Sequence, residues 1–353
     1  MFKLYYPKEL HISDIRSEIF PLLKPFLKGL NYSNEQRILD YGISKDDFVL
    51  TDNILDADIL ILSMSWNIYI QNNQIGKVID FIKKNYNKKI YSFITGDYGV
   101  DTPNFENLIV LRLNGCKSKL TENHIGLPVF INDPLLKQYG SSFLSIDYSE
   151  NPIVGFCGQS NYSIKNAVKE YCRVLIRNIA YFLNLTAHQP QNLLSTSYLR
   201  GKVLNKIKKS VSITDIFIER KKYRAGVKTE EDKKKTTQEF YENIKNSHYT
   251  ICVRGGGNFS VRIYETLAMG RIPVFVNTDC LLPLSIDDEW RKHIFWIEKD
   301  EIEHLPRKLI EFHSKFDVES FEKYLYSNRI FWENKLTLSS YFKCLFQLTN
   351  SKI

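Results

Sequence analysis

The sequence predicts an α/β protein built from two doubly wound units. Short apolar runs alternate with a helically spaced segment across the first 140 residues. A complete strand, glycine turn, helix and strand occupy 249–276. The length, 353 residues, suits two domains of ordinary size.

The elements follow in chain order. Ile-Leu-Ile-Leu-Ser at 59–63 suits a buried parallel strand, and 76–84 has apolar positions at helical spacing. A second strand at 90–94 ends in the turn-rich Thr95-Gly96-Asp97-Tyr98-Gly99, and 108–113 is a third. The text turns polar at 139–152, which sets the expected domains at 1–148 and 149–320. A new strand at 153–157 runs into the small polar turn Gly158-Gln159-Ser160. The mixed charges of 228–235 read as a solvated helix face. The tail, 321–353, is expected to form helices that pack back towards the first domain. Trp332, Leu336, Leu338, Tyr341, Phe342 and Phe346 are available there for burial.

Composition excludes several classes. With 43% hydrophobic and 25% charged residues, the chain has ample material for two cores and is no disordered tail. Its net charge of +8 favours anionic partners. No zinc, helix-turn-helix or RNA-platform motif accompanies that charge, so nucleic acid is not expected. The six cysteines form no C-x-x-C pair and are expected as buried free thiols in a reducing compartment. No signal-peptide pattern and no long apolar span are legible, so the expected location is cytoplasmic. The basic balance allows peripheral contact with the inner membrane face. Asp56-Ala57-Asp58 is formally a D-x-D pair, but it precedes an apolar run rather than ending a strand. It reads as a helix or loop end, and no metal and no other cofactor is expected.

The strongest chemical signal lies in 249–276. A strand at 249–253 leads into Arg254-Gly255-Gly256-Gly257-Asn258-Phe259-Ser260, then a helix at 261–269 and a strand at 272–276. Ser260 stands as N-cap and Gly270 as the residue after the helix. Glycines let backbone N–H groups approach a ligand, and a helix start carries unpaired donors and positive potential. Arg254 and Arg262 flank that turn, a good cradle for a diphosphate. An arginine in the first helical turn opposes the helix dipole, so helix stability does not explain Arg262. Glu265, three residues on, suits ribose hydroxyls. No Gly-Lys-[Ser/Thr] follows, so this is not a P-loop. Gly255-x-Gly257-x-x-Ser260 half-matches the dinucleotide fingerprint, with Asp279 near the ribose-acid distance, but the last glycine is serine and bulky Phe259 fills the turn.

Residues 252–274 resemble the signature of the exostosin family of glycosyltransferases, R-G-x-G-x-x-S-x-R-x-x-E-x-L-x-x-G-x-I-P-V, at every fixed position. Asp279 and Leu282-Pro283 continue the likeness, which is strong over about 40 residues and looser over most of 151–300. The resemblance implies two facing Rossmann-like domains (the GT-B arrangement), the second holding a nucleotide-sugar and the first the acceptor. It implies an inverting transfer, usually from a UDP-sugar, with Arg254 and Arg262 at the diphosphate and Glu265 at the ribose. Animal members are Golgi-anchored, and no anchor is legible here. A bacterial enzyme of surface-polysaccharide synthesis, acting on an oligosaccharide or lipid-linked glycan, is the closer analogy.

Inversion needs a base for the acceptor hydroxyl. Asp97 is the candidate, on a Gly-flanked loop after a strand, and Asp133 is the weaker alternative. Arg220 and Arg224 are further candidates for phosphate or acceptor contact, Gly158, Gln159 and Ser160 for the cleft floor, and His248 for packing. The rival readings are a nucleotide-sugar epimerase or NAD-dependent oxidoreductase, and a non-catalytic protein binding anionic glycan or nucleic acid.

Overall fold

The computed structural model of the chain describes residues 1–27 and 33–350, the side chains of Tyr223 and Arg224 excepted. The first unit runs β1 (Phe2–Tyr5), α1 (Lys24–Leu27), α2 (Asn34–Tyr41), β2 (Phe48–Leu50), β3 (Ile59–Ile61), α3 (Trp66–Gln71), α4 (Ile75–Lys84), β4 (Ile90–Ile94), β5 (Leu108–Arg112) and β6 (His124–Gly126). The second runs α5 (Pro134–Tyr139), β7 (Ile153–Gln159), α6 (Ile164–Phe182), α7 (Thr196–Lys208), β8 (Thr214–Arg220), α8 (Glu230–Lys245), β9 (Tyr249–Cys252), α9 (Val261–Ala268), β10 (Ile272–Asn277), α10 (Asp287–Trp290) and β11 (Phe295–Glu298). Then come α11 (Leu305–His313), α12 (Val318–Lys335) and α13 (Leu338–Asn350).

Each unit is one parallel sheet, ordered β2-β1-β3-β4-β5-β6 and β11-β10-β9-β7-β8. β4 and β5 are buried at every position, as a parallel strand covered on both faces must be. In the second sheet the strand order reverses direction between β7 and β9. Such a switch point leaves a crevice beyond the carboxyl ends of the strands, where open α/β sheets bind ligands.

The carboxyl edges of the two sheets meet, which gives the facing pair of Rossmann-like units that the GT-B arrangement describes. The loop after β4 touches the loop after β9, and the loop after β5 pairs with the loop after β10. There Lys117 N–H donates to the Asp279 carbonyl at 3.0 Å. Ser118 donates through its N–H and its hydroxyl to the Asp279 carboxylate, at 3.0 and 2.7 Å. Gly126 lies against the backbone of the second unit, where a Cβ would fall 2.3 Å from the Leu282 carbonyl oxygen. The chain passes between units just after this point, since Val129, Ile131 and Leu135 already pack with second-unit residues. That is ahead of the polar stretch at 139–152.

The tail divides between the cores. Phe321 and Leu325 of α12 join the second sheet's core, whereas Tyr341, Phe342, Leu345 and Phe346 of α13 join the first. Asp133 caps α5 and forms an ion pair with buried Arg329 of α12, so it is a structural acid. The cysteine expectation is corrected in part: all six are free thiols, but Cys172 is exposed on α6, and Cys116 and Cys344 are partly exposed.

His248 is a packing residue. Its ring stacks on His313, accepts from Ile153 N–H through Nδ1 and donates from Nε2 to the Asp147 carbonyl. Burial pushes its pKa down to about 4. The folded state therefore binds a proton less readily than the unfolded chain, whose histidine titrates near 6.5. Its contribution is complete above pH 6.5 and is lost as pH falls towards 4, where the loss approaches ~3 kcal/mol. Urea unfolding at pH 7.5 and at pH values down to 4.5 should show declining stability, with a shallower decline in His248→Asn.

Candidate active site

The turn after β9 folds as the strand–turn–helix logic requires. Gly255 N–H donates to the Phe259 carbonyl at 2.9 Å and closes the loop. Ser260 stands at the N-cap of α9 but its side chain caps nothing. Gly270 takes φ +63° after the helix, as expected. Gly257 sits beneath the Phe259 ring and against the Asp97 backbone, where a Cβ would find 2.6 and 2.8 Å contacts.

Three arginines converge on the β7–β9 switch point. Arg262 reaches back from α9 and donates to Cys157 O on β7 at 2.9 Å and Ile251 O on β9 at 3.4 Å. Its guanidinium lies over the Phe156 ring, 4.7 Å from the centroid. Arg200 of α7 spans the same gap, donating to Gln159 O at 3.0 Å and Arg254 O at 2.8 Å. Arg254 is 3% exposed and bonds only Gly256 O, at 3.1 Å. Four buried guanidinium nitrogens in this group have no partner: Nε of Arg200, Nε and Nη1 of Arg254, and Nε of Arg262. Glu170 and Asp97 lie near enough to favour the charged forms of Arg200 and Arg254, against the effect of burial. Burial, with Arg262 and Arg254 as neighbouring cations, brings Arg200 down to about 10, and burial lowers Arg254 as well.

Orphaned buried donors are costly, and an anion with several acceptor oxygens relieves that cost. Gly158 leaves room for this arrangement. A Cβ there would fall 2.7 Å from Arg262 Nη2.

The opposite wall is the loop after β4. Asp97 is exposed, and its Oδ2 would lie 2.9 Å from a Cβ on Gly256. The loop is fixed from below, where Asn114 donates to Gly96 O at 2.7 Å and Gln189 N–H to Gly99 O at 2.7 Å. Arg177 of α6 stacks on Tyr98, 3.7 Å from the ring centroid.

The expected residues divide accordingly. Arg254, Gly255, Gly256, Gly257, Arg262, Gly158 and Asp97 are brought together, and Glu265 lies partly buried on α9. Asn258 is corrected: it is fully buried, and its amide is taken up by the carbonyls of Gly115, Thr278 and Asp279 and the hydroxyl of Thr278. It clamps the two units and has no capacity left for a donor. Asp279 is likewise held by Ser118, which removes the ribose acid a dinucleotide site would need. Arg220 is corrected too, since its guanidinium pairs with Glu239 of α8 at 2.7 Å. The Gln159 side-chain amide donates to Lys221 O, and Ser160 pairs with Glu219. The Phe259 ring serves the turn. The side chain of Arg224 lies outside the described residues.

Arg200 was not among the expected residues. Its one signal is Gly201, a glycine inside a helix, which marks a close approach: a Cβ would meet Tyr162 N at 2.8 Å. Among the described residues, no cluster of His, Cys, Asp and Glu is suited to a metal ion.

No protein-family model matches the chain, and no curated protein matches it. Among solved structures, the crystal structure of a glycosyltransferase from Rickettsia africae ESF-5 is similar over 99% of this chain and 96% of its own, at 13% identity and a TM-score of 0.34. That likeness is too distant to bear on the residues of the site.

Gly158→Ala tests the arginine geometry. The added methyl displaces a flexible guanidinium rather than backbone, so the thermal midpoint should change little. Affinity for inorganic pyrophosphate, measured by calorimetry, should fall by about tenfold or more, ~1.4 kcal/mol.

Proposed function

We propose that the chain is an inverting glycosyltransferase. It takes a sugar from a nucleoside-diphosphate donor, of the uridine type by the exostosin resemblance, and passes it to a hydroxyl of a glycan or glycolipid in surface-polysaccharide synthesis. The observation that carries this reading is the arginine cluster at the β7–β9 switch point, where Arg254 is buried, Arg200 and Arg262 are half-buried, and four guanidinium nitrogens are left without a partner. A diphosphate supplies acceptor oxygens for those nitrogens and negative charge for a cluster of three cations.

The chemistry follows from the two walls. Asp97 accepts the proton of the acceptor hydroxyl. The oxygen then attacks the anomeric carbon from the face opposite the leaving group, and the bond from that carbon to the phosphate oxygen breaks. The diphosphate leaves with the bonding electrons, and the three cations and the uncapped start of α9 stabilise the growing charge. Glu265 is assigned to the ribose. Gly256 brings its backbone under Asp97, so base and diphosphate cradle adjoin. The commitment of Asp279 to Ser118 weighs against the oxidoreductase alternative.

Thermal unfolding with UDP, GDP, CMP, NAD and UDP-sugars tests the reading. A ligand at about 100 times its dissociation constant adds ~2.7 kcal/mol, a shift of a few degrees. One nucleoside diphosphate should stabilise the protein. Arg262→Ala and Arg200→Ala should each weaken that binding by roughly 1.5–3 kcal/mol, the range for a charged hydrogen bond. Stabilisation by NAD alone, or by no nucleoside diphosphate, overturns the proposal. Asp97→Asn should keep the donor-induced shift and lose transfer to acceptor; retained transfer would place the base elsewhere.

A further inference from the structure

Helix α6 is amphipathic in the reverse sense. Its inward side is polar and hydrogen-bonded. Glu170 accepts from the hydroxyls of Ser195 and Ser197, both at 2.6 Å. Asn178 exchanges two bonds with the Gln191 backbone, and Tyr181 donates to Asp101. Only Ala167 of its 19 residues is buried. Its outward side is apolar. Ile164, Val168, Leu175, Ile179 and Phe182 succeed one another at intervals of four, seven, four and three, one continuous stripe on a helix, and all are exposed. Ile176 widens it. Ile164, Ile176 and Phe182 are 72%, 68% and 71% exposed. The inward hydrogen bonds fix the helix in this rotation, so the apolar stripe cannot turn inwards without breaking them.

One border of the stripe is cationic. Lys165, Lys169 and Arg173 are exposed along it and make no ion pair among the described residues. The only acid on the helix, Glu170, is committed to the two serines. A second copy packed isologously on this face would bring these like charges near one another with no acid on the helix to answer them. An anionic lipid surface answers both features at once: acyl chains for the stripe and headgroup charge for its border. We propose that α6 is a membrane-surface helix that lies in the plane of an anionic bilayer. At 1.5 Å per residue it offers an apolar ridge about 28 Å long. No helix among the described residues is long and apolar enough to cross a membrane, so the contact is one of lying on the surface.

The helix also leads towards the site. At its carboxyl end a cavity of about 410 Å³ is lined by Phe182, Tyr181, Ile70 and Asp101. Asp101 belongs to the same loop as Asp97. Resting on the glycosyltransferase reading, this placement names the acceptor class as a glycan carried on a membrane lipid, delivered beside α6 to the Asp97 wall.

The test is co-sedimentation of the full chain with vesicles of phosphatidylglycerol and phosphatidylcholine, and with vesicles of phosphatidylcholine alone. Binding to the anionic vesicles should exceed binding to the neutral ones and should weaken with salt. The double variant Ile176→Glu with Ile179→Glu changes only exposed positions, and it should lower partitioning about tenfold or more. Lys165→Glu with Lys169→Glu should lose the preference for anionic lipid. The UDP-induced thermal shift should persist in both variants, which separates this proposal from the assignment of the arginine site. Equal sedimentation of wild type and the isoleucine variant overturns the proposal, as does no binding to anionic vesicles. A dimer in light scattering that the isoleucine variant dissolves would give the face to a second copy and also overturn it.

Discussion

Three arginines crowd the carboxyl edge of β7 and β9, and four of their guanidinium nitrogens are buried without a partner. Much of the second unit is what keeps them there. A parallel sheet ends with its last carbonyls directed into the crevice, so Cys157, Gln159 and Ile251 become acceptors for cations arriving from α7 and α9. Hydrogen bonds to carbonyls orient the guanidinium planes but leave the net charge in place. Repulsion among neighbouring cations opposes the arrangement, and the packing of β9, α9 and α7 around the core outweighs it.

Sequence legibility followed burial. The strands read from apolar runs at 59–63, 90–94, 108–113, 153–157, 249–253 and 272–276 are all interior to their sheets, where both faces demand hydrophobic residues. β8 is an edge strand with four of its seven positions exposed, so its text, Thr-Asp-Ile-Phe-Ile-Glu-Arg, reads as a polar segment. β1, β2, β6 and β11 are as short as β3 and β9, but they are only partly buried, whereas β3 and β9 are buried at every position. The glycine turn was legible because one continuous stretch encodes strand, turn and helix start.

The site itself was legible only where one segment encodes it. Arg200 comes from a helix more than 50 residues earlier, and only tertiary packing brings it to the turn. Asn258 erred in the opposite direction. It lies inside the motif and has the chemistry of a ligand-binding residue, but the loops of the opposite unit take up its amide. Arg220 looked available in a basic stretch and is paired across the unit with Glu239. Sequence shows which groups are capable of binding, and their competitors appear only on folding.

The Asn258 and Asp279 contacts deserve a mechanical reading. They pin one margin of the crevice, and α13 spans from the second unit into the core of the first. Two bodies joined along one margin separate by turning about it, and displacement grows with distance from the pin. The Asp97–Gly256 contact lies two residues from Asn258, so it sits near the fulcrum. A turn about that margin would displace the outer rim most, and Asp97 and the glycine turn least.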